Sequence, residues 1–234
     1  MLNFLIELLF PAKCAICNSY ASKSDICSEC WSKFTFITKP CCSICSYPFA
    51  FEEDKNAICG YCIINKPNYD RAISVLKYDA YSKNLIHKFK YEDQLQILNY
   101  FVRLMINMGK ELIEQADVIV PVAMHKYKLL KRGYNQAALL AMKIAQKEKK
   151  KYLPKLLLKV KNITAQADLK KEQRLKNVQN AFKLNSEYAE AIKGKRVLLI
   201  DDVITTGATI SECCKVIAKA KPAKIFILTI AKRV

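Results

Sequence analysis

Two adjacent carboxylates, Asp201 and Asp202, stand before Val203, Ile204 and a run of small and hydroxylated residues: Thr205, Thr206, Gly207, Ala208 and Thr209. A small-residue turn that opens a helix presents unpaired backbone N–H groups, and these suit a phosphate. Gly207 lets the main chain approach such a ligand closely. The three threonines add hydroxyl donors. A bare phosphate cradle has no use for two acids at its mouth, but a sugar phosphate does. The turn takes the phosphate and the acids accept from vicinal hydroxyls. An ordinary strand-to-helix turn with an acidic edge would not need the whole composite pattern.

A second chemistry lies near the N-terminus. Of eleven cysteines, eight form four C-x-x-C pairs: Cys14/Cys17, Cys27/Cys30, Cys42/Cys45 and Cys59/Cys62. One such pair gives two thiolates to an ion from a single tight turn, and a second pair completes a tetrahedron. Four pairs predict two zinc sites with four cysteine ligands each. Redox C-x-x-C chemistry and an iron–sulfur cluster are the competing uses. Sequential pairing of the motifs needs only short loops and is preferred to a cross-braced arrangement. Cys41 either replaces Cys42 or is a spare. Four thiolates leave no open position, so each ion's role is structural, in a segment too short for its own apolar core.

Elements must position these groups. Val197, Leu198, Leu199 and Ile200 read as a strand buried on both faces of a parallel sheet, with the acids where it ends. A helix follows from Ile210 to about Ala220, with Cys213 and Cys214 in the core. Residues 72–78 read as a strand, 82–90 as a basic helix carrying a solvated His87, and 95–115 as a long amphipathic helix. Residues 117–122 are a second buried strand. It runs into a cation-rich loop over 124–137, then a helix to about Lys147. That loop opens at the same sheet edge as Asp201 and suits a second anion. Residues 155–182 have poor periodicity and read as an exposed loop or as a flap that closes over a ligand. A last buried strand covers 225–230.

The chain has 234 residues, 52% of them apolar, enough for one α/β domain and a small appendage. The expected division is 1–68, an N-terminal helix plus the cysteine module, and 69–234, the α/β domain. No apolar run reaches the length of a membrane span. Residues 1–10 are apolar but short and carry Glu7, so they read as a docking amphipathic helix rather than a signal peptide. The absence of an export signal disfavours disulfides. The net charge is +18, with basic residues crowded over 143–176. A nucleic-acid partner accounts for this. So does an AT-rich coding bias, given the predominance of Lys with plentiful Asn and Ile. Trp31, Phe34 and Phe36 suit base stacking, or packing beside the cysteine sites.

Residues 197–209 resemble the signature of type I phosphoribosyltransferases, which bind phosphoribosyl pyrophosphate (PRPP). The resemblance implies that Asp201 and Asp202 hold the ribose hydroxyls as the catalytic acids. It implies that Thr205, Thr206, Gly207, Ala208 and Thr209 wrap the 5′-phosphate, with Val203 among the PRPP-binding positions. Thr205 replaces the Asp of the hypoxanthine-guanine enzymes, which argues against that branch. The loop after Pro121 and Val122, with Ala123 in place of a second Pro, is similar to the family's pyrophosphate loop. The order of cysteine pairs, the Arg132-Gly133-Tyr134-Asn135-Gln136 motif, Gln166, Arg174 and Asn177, and the acid pair resembles the ComF family. This implies a phosphoribosyltransferase-like parallel sheet flanked by helices, with a small zinc-binding module. Arg132, Gly133 and Asn135 are implied PRPP contacts, with Mg²⁺ bridging pyrophosphate and ribose oxygens. It further implies a cytoplasmic protein of natural transformation that assists single-stranded DNA uptake beside a translocase. An active phosphoribosyltransferase of nucleotide metabolism and a PRPP-sensing regulator remain alternatives, because the motif shows no general base.

Overall fold

A computed structural model describes residues 13–14, 16–21, 26–51, 54, 56–91, 95–163 and 177–234. The expected N-terminal helix, Gln166 and Arg174 lie outside the described residues. A five-stranded parallel sheet runs in the order β1-β7-β6-β2-β3. Its strands are β1 (Arg71–Lys77), β2 (Val118–Pro121), β3 (Lys151–Tyr152), β6 (Arg196–Ile204) and β7 (Lys224–Lys232). A separate antiparallel ribbon pairs β4 (Leu157–Lys159) with β5 (Phe182–Leu184). The ribbon closes the base of the 155–182 segment, whose middle lies outside the described residues.

The sheet alternates its side chains as a pleat requires. Leu198 and Ile200 enter one core with α3 (Ala80–Tyr91), α4 (Leu95–Gln115) and α6 (Gln136–Lys147). Val197 and Leu199 enter the other with α7 (Ala208–Ala218), where Cys213 and Cys214 are fully buried. This is why the central strands read as unbroken apolar runs: both faces are covered. Gly109 of α4 is the close approach to the sheet, since a Cβ there would stand 2.6 Å from Leu228 Cδ2.

The cysteine segment is fastened along the outer edge of β1. Ile37 N donates to Val75 O at 2.9 Å, and Lys77 N donates to Thr35 O at 2.8 Å. This covers an edge that would otherwise present unpaired backbone groups. Phe34 is buried against Tyr81 and Tyr100, with centroids 5.0 and 5.9 Å away. Trp31 packs on Phe36 at 4.9 Å. Phe34 is thus spent on packing, whereas Trp31 keeps 45% of its surface exposed. Cys14 and Cys30 belong to the same core as α3 and α4, whereas Cys42, Cys45, Cys59 and Cys62 form a small cluster of their own.

Candidate functional site

The acids do not end their strand. β6 continues through Asp201 and Asp202 to Ile204 because β7 stays paired beside it, Asp201 opposite Thr229 and Ile204 opposite Lys232. The pairing with β2 ends one residue before the acids, at Pro121 opposite Ile200. The carboxylates thus stand beyond β2 on a strand still braced from the other side. Thr205 and Thr206 then turn the chain, and Gly207 adopts φ +76° as the N-cap of α7. A Cβ at Gly207 would meet nothing within 4 Å, so the residue is required by its left-handed backbone rather than by crowding. The Gly207 N-cap offers no side-chain acceptor to the first turn of α7. Thr206 Oγ1 lies 3.5 Å from the Ala208 N–H, a marginal bond. Thr209 is half-buried and Val203 lies in the strand between the acids and the turn.

Asp202 N donates to Asp201 Oδ1 at 2.9 Å. Burial, then the neighbouring Asp202 charge, pushes the Asp201 carboxyl up to about 7, although the Asp202 N–H, Lys90 and Lys159 pull it back. Cations act on the pair from two elements, and a third element stands behind them. Lys90, in the last turn of α3, places Nζ 2.6 Å from Asp202 Oδ2. Burial works against its charge, but attraction to Asp202 prevails and its pKa lies above the ordinary value. Lys159, at the end of β4, is lowered by burial, with Asp201 acting the other way. Lys128, on α5 (Lys126–Arg132), is lowered by burial and then by Lys159 and Arg132. Neither Lys90 nor Lys159 was singled out by sequence. One lay in a helix read only as basic, the other in a segment read as a loop or flap.

The expected cation-rich loop over 124–137 is instead mostly helical. α5 starts at a His125 N-cap and ends at Gly133, φ +82°, whose N–H donates to Leu129 O at 2.8 Å. Periodicity could not separate this short, polar helix from a loop. Asn135 caps α6, accepting from Ala137 N at 3.1 Å, and its Nδ2 donates to Val122 O at 3.0 Å. Arg132 Nη1 donates to Gln136 Oε1 at 2.8 Å. These residues brace the end of β2 against two helices. Asn177 is exposed.

The sulfurs of Cys14, Cys17, Cys27 and Cys30 all lie within 4.8 Å of one another, and so do those of Cys42, Cys45, Cys59 and Cys62. Sequential pairing is therefore what the fold brings together. Cys41 stays outside both groups. Cys17 and Cys27 are 3.6 Å apart, and Cys45 and Cys59 are 3.7 Å apart. A tetrahedral zinc with ~2.3 Å bonds needs sulfurs about 3.8 Å apart, so both donor sets fit. The Ser19 hydroxyl and backbone N–H hold the Cys17 thiol down to about 6, favouring the ligating thiolate.

Between the second group and the turn lies a cavity of about 490 Å³. Thr205, Thr206 and Gly207 line one side, and Tyr61, Lys66 and Tyr69 line another. Among the described residues, no helix is long and apolar enough to cross a membrane.

Residues 93–233 match the family model of the phosphoribosyl transferase domain, and residues 5–63 match that of the double zinc ribbon domain. The chain belongs to the phosphoribosyl transferase domain family. Together with the zinc ribbon match and its relatives, this makes it a ComF-family protein. It is 28% identical to competence protein F of Haemophilus influenzae over 99% of this chain and 100% of that one. It is 26% identical to DNA utilization protein YhgH of Escherichia coli K12, over 91% of this chain and 93% of the relative. A solved orotate phosphoribosyltransferase from Aeropyrum pernix aligns at 14% identity and a TM-score of 0.35, over 68% of this chain and 80% of that one. That likeness is too distant to carry any part of the assignment.

Proposed function

We propose that this ComF-family protein binds PRPP, with Mg²⁺, at the acid pair and the turn after it, and that it serves DNA uptake or utilization in the cytoplasm. The single observation that carries the ligand is the meeting of opposite needs at one sheet edge. Asp201 and Asp202 supply acceptors for a diol, the Gly207 turn supplies donors for a phosphate, and Lys90, Lys128, Arg132 and Lys159 supply positive charge for a second anion. PRPP carries a ribose diol, a 5′-phosphate and a pyrophosphate. In this reading Val203, Thr205, Thr206, Ala208 and Thr209 shape the phosphate turn, while Arg132, Gly133 and Asn135 position the pyrophosphate side. Mg²⁺ brought with the ligand would neutralise part of the pyrophosphate charge.

The DNA role rests on the two relatives' names, competence protein F and DNA utilization protein, and on the +18 charge. A basic protein that holds single-stranded DNA binds less tightly as salt rises. Zinc is assigned to the two four-cysteine groups, and residues 1–68 are assigned to the module that carries them, joined to a 69–234 phosphoribosyltransferase-like domain.

One observation favours a catalytic reading as well. The cavity beside the turn is walled by tyrosines and large enough for a small acceptor. Displacement at the ribose anomeric carbon would release pyrophosphate, with fixed charges stabilising the cationic centre. Calorimetric titration of Mg²⁺–PRPP into the zinc-loaded protein tests the binding. Heat that is lost in the Asp201→Ala/Asp202→Ala variant is expected; absence of binding to the wild type removes the reading. Pyrophosphate release across a panel of nitrogen heterocycles separates enzyme from sensor.

A further inference from the structure

The last carbonyls of a helix have no donor within the helix. At the end of α3 two of them are met by side chains from a distant part of the chain. Tyr134 Oη donates to Phe89 O at 2.8 Å, and Gln136 Nε2 donates to Lys90 O at 3.2 Å. Gln136 is 1% exposed, and its Oε1 is held in turn by Arg132. The Phe89 ring anchors the same turn against Phe101, with centroids 5.5 Å apart. The backbone that carries Lys90 is therefore fixed, and its side chain reaches 2.6 Å to Asp202 Oδ2.

That contact bears on what the acid pair accepts. Lys90 and Asp202 retain only 24% and 16% of their side-chain exposure. Separating a sheltered ion pair without replacing either partner is costly. A diol alone offers Asp202 two hydroxyls but leaves Lys90 uncompensated. A divalent cation alone must displace Lys90 and then sit beside its charge. A ligand that brings a diol and an anion together satisfies both members at once.

We propose that Lys90 is a specificity-determining residue of the acid pair: it holds Asp202 in the absence of ligand and passes to an anionic oxygen of the ligand when the diol engages, with Tyr134 and Gln136 as positioning residues. The identity of that ligand rests on the PRPP reading; the hold of Lys90 on Asp202 does not.

The experiment uses the full zinc-loaded chain and two probes: Mn²⁺ alone, followed by the spin-resonance signal of the free ion, and Mg²⁺–PRPP, followed by calorimetry. Mn²⁺ is a hard, oxygen-seeking ion and leaves thiolate sites alone. Lys90→Met is expected to bind Mn²⁺ alone roughly tenfold more tightly and PRPP roughly tenfold more weakly, the scale of one charge-assisted contact. Adding Asp202→Asn should erase the Mn²⁺ gain. Gln136→Met keeps the ammonium but frees its backbone, and should shift both affinities in the same directions by less. A general loss of structure weakens both probes and cannot give these opposite signs. Lys90→Met shifts that are absent, or of one sign, overturn the role of Lys90. Unshifted Gln136→Met affinities overturn the positioning role. If the wild type binds no PRPP, the PRPP reading fails, and the Mn²⁺ comparison alone decides whether Lys90 holds Asp202.

Discussion

Lys232 Nζ donates to Cys45 O at 2.6 Å, tying the second cysteine group to the end of β7. The next residue, Arg233, donates its N–H to Ile204 O at 2.8 Å, directly before the turn. One cysteine group is thus linked to the candidate phosphate site through two backbone carbonyls. The other group is embedded differently, since Cys14 and Cys30 are 0% and 3% exposed within the main core.

This difference predicts unequal responses to metal loss. Cys30→Ser should destabilise the whole chain by about 2 kcal/mol, or roughly 4–8 °C in melting temperature. Cys62→Ser should act locally: amide exchange should accelerate over 42–62 and at the Thr205–Thr206 turn, with α4 and the sheet still protected. Hydrogen exchange on both variants, with and without added zinc, reads the outcome. Equal global destabilisation by the two would contradict it.

Asp201 sets stability against binding. Its carboxyl is raised to about 7 in the fold by burial and by Asp202. An unfolded Asp ionises near ~3.9. Between these values the folded protein keeps a proton that the unfolded chain releases, so rising pH lowers stability through that window and has no further effect above it. Asp201→Asn removes this dependence. It should melt like the wild type near pH 4 and gain up to about 4 kcal/mol by pH 8, while losing PRPP affinity. Urea melts at the two pH values measure this; a variant less stable than wild type at pH 8 would show that Asp201 is held as a stabilising carboxylate.

Much of this was legible in the sequence because local signals and tertiary structure agree. The apolar spacing over 95–115 is the helix α4, since one continuous face packs on the sheet. The C-x-x-C spacing found its partners because each loop between pairs is short. What the sequence hid is non-local. The acids seemed to end a strand because polarity rises there, yet pairing with β7 carries β6 on to Ile204. Lys90 reaches Asp202 across 112 positions, a distance that no window of periodicity spans. The helix α5 has no buried residue, so it left no apolar stripe to read.

Gly109 offers a test of packing alone. Leu228, fully buried, would lie 2.6 Å from an added Cβ. Gly109→Val should cost about 1–3 kcal/mol through overpacking between α4 and β7. The companion Leu228→Ala opens space and should recover part of that loss in the double variant, a coupling that a double-mutant cycle of urea melts detects. Strict additivity would mean that the helix shifts rather than the leucine.

Gly207 and Gly194 form a matched pair. Both are left-handed, at φ +76° and +65°, and a Cβ at either would meet nothing within 4 Å. Gly207 opens α7 at the candidate site, whereas Gly194 precedes β6 at the opposite end of the strand. Alanine at either position carries the same strain, about 1 kcal/mol, which is roughly 2–4 °C in melting temperature. The open space at Gly207 is where a phosphate would approach the backbone, so a methyl group there should also weaken PRPP binding by about tenfold or more. Gly194→Ala should leave binding unchanged. Melting curves and calorimetry on both variants separate the two effects: equal stability losses with unequal affinities place the phosphate at the turn, and unaltered PRPP affinity in Gly207→Ala places it elsewhere.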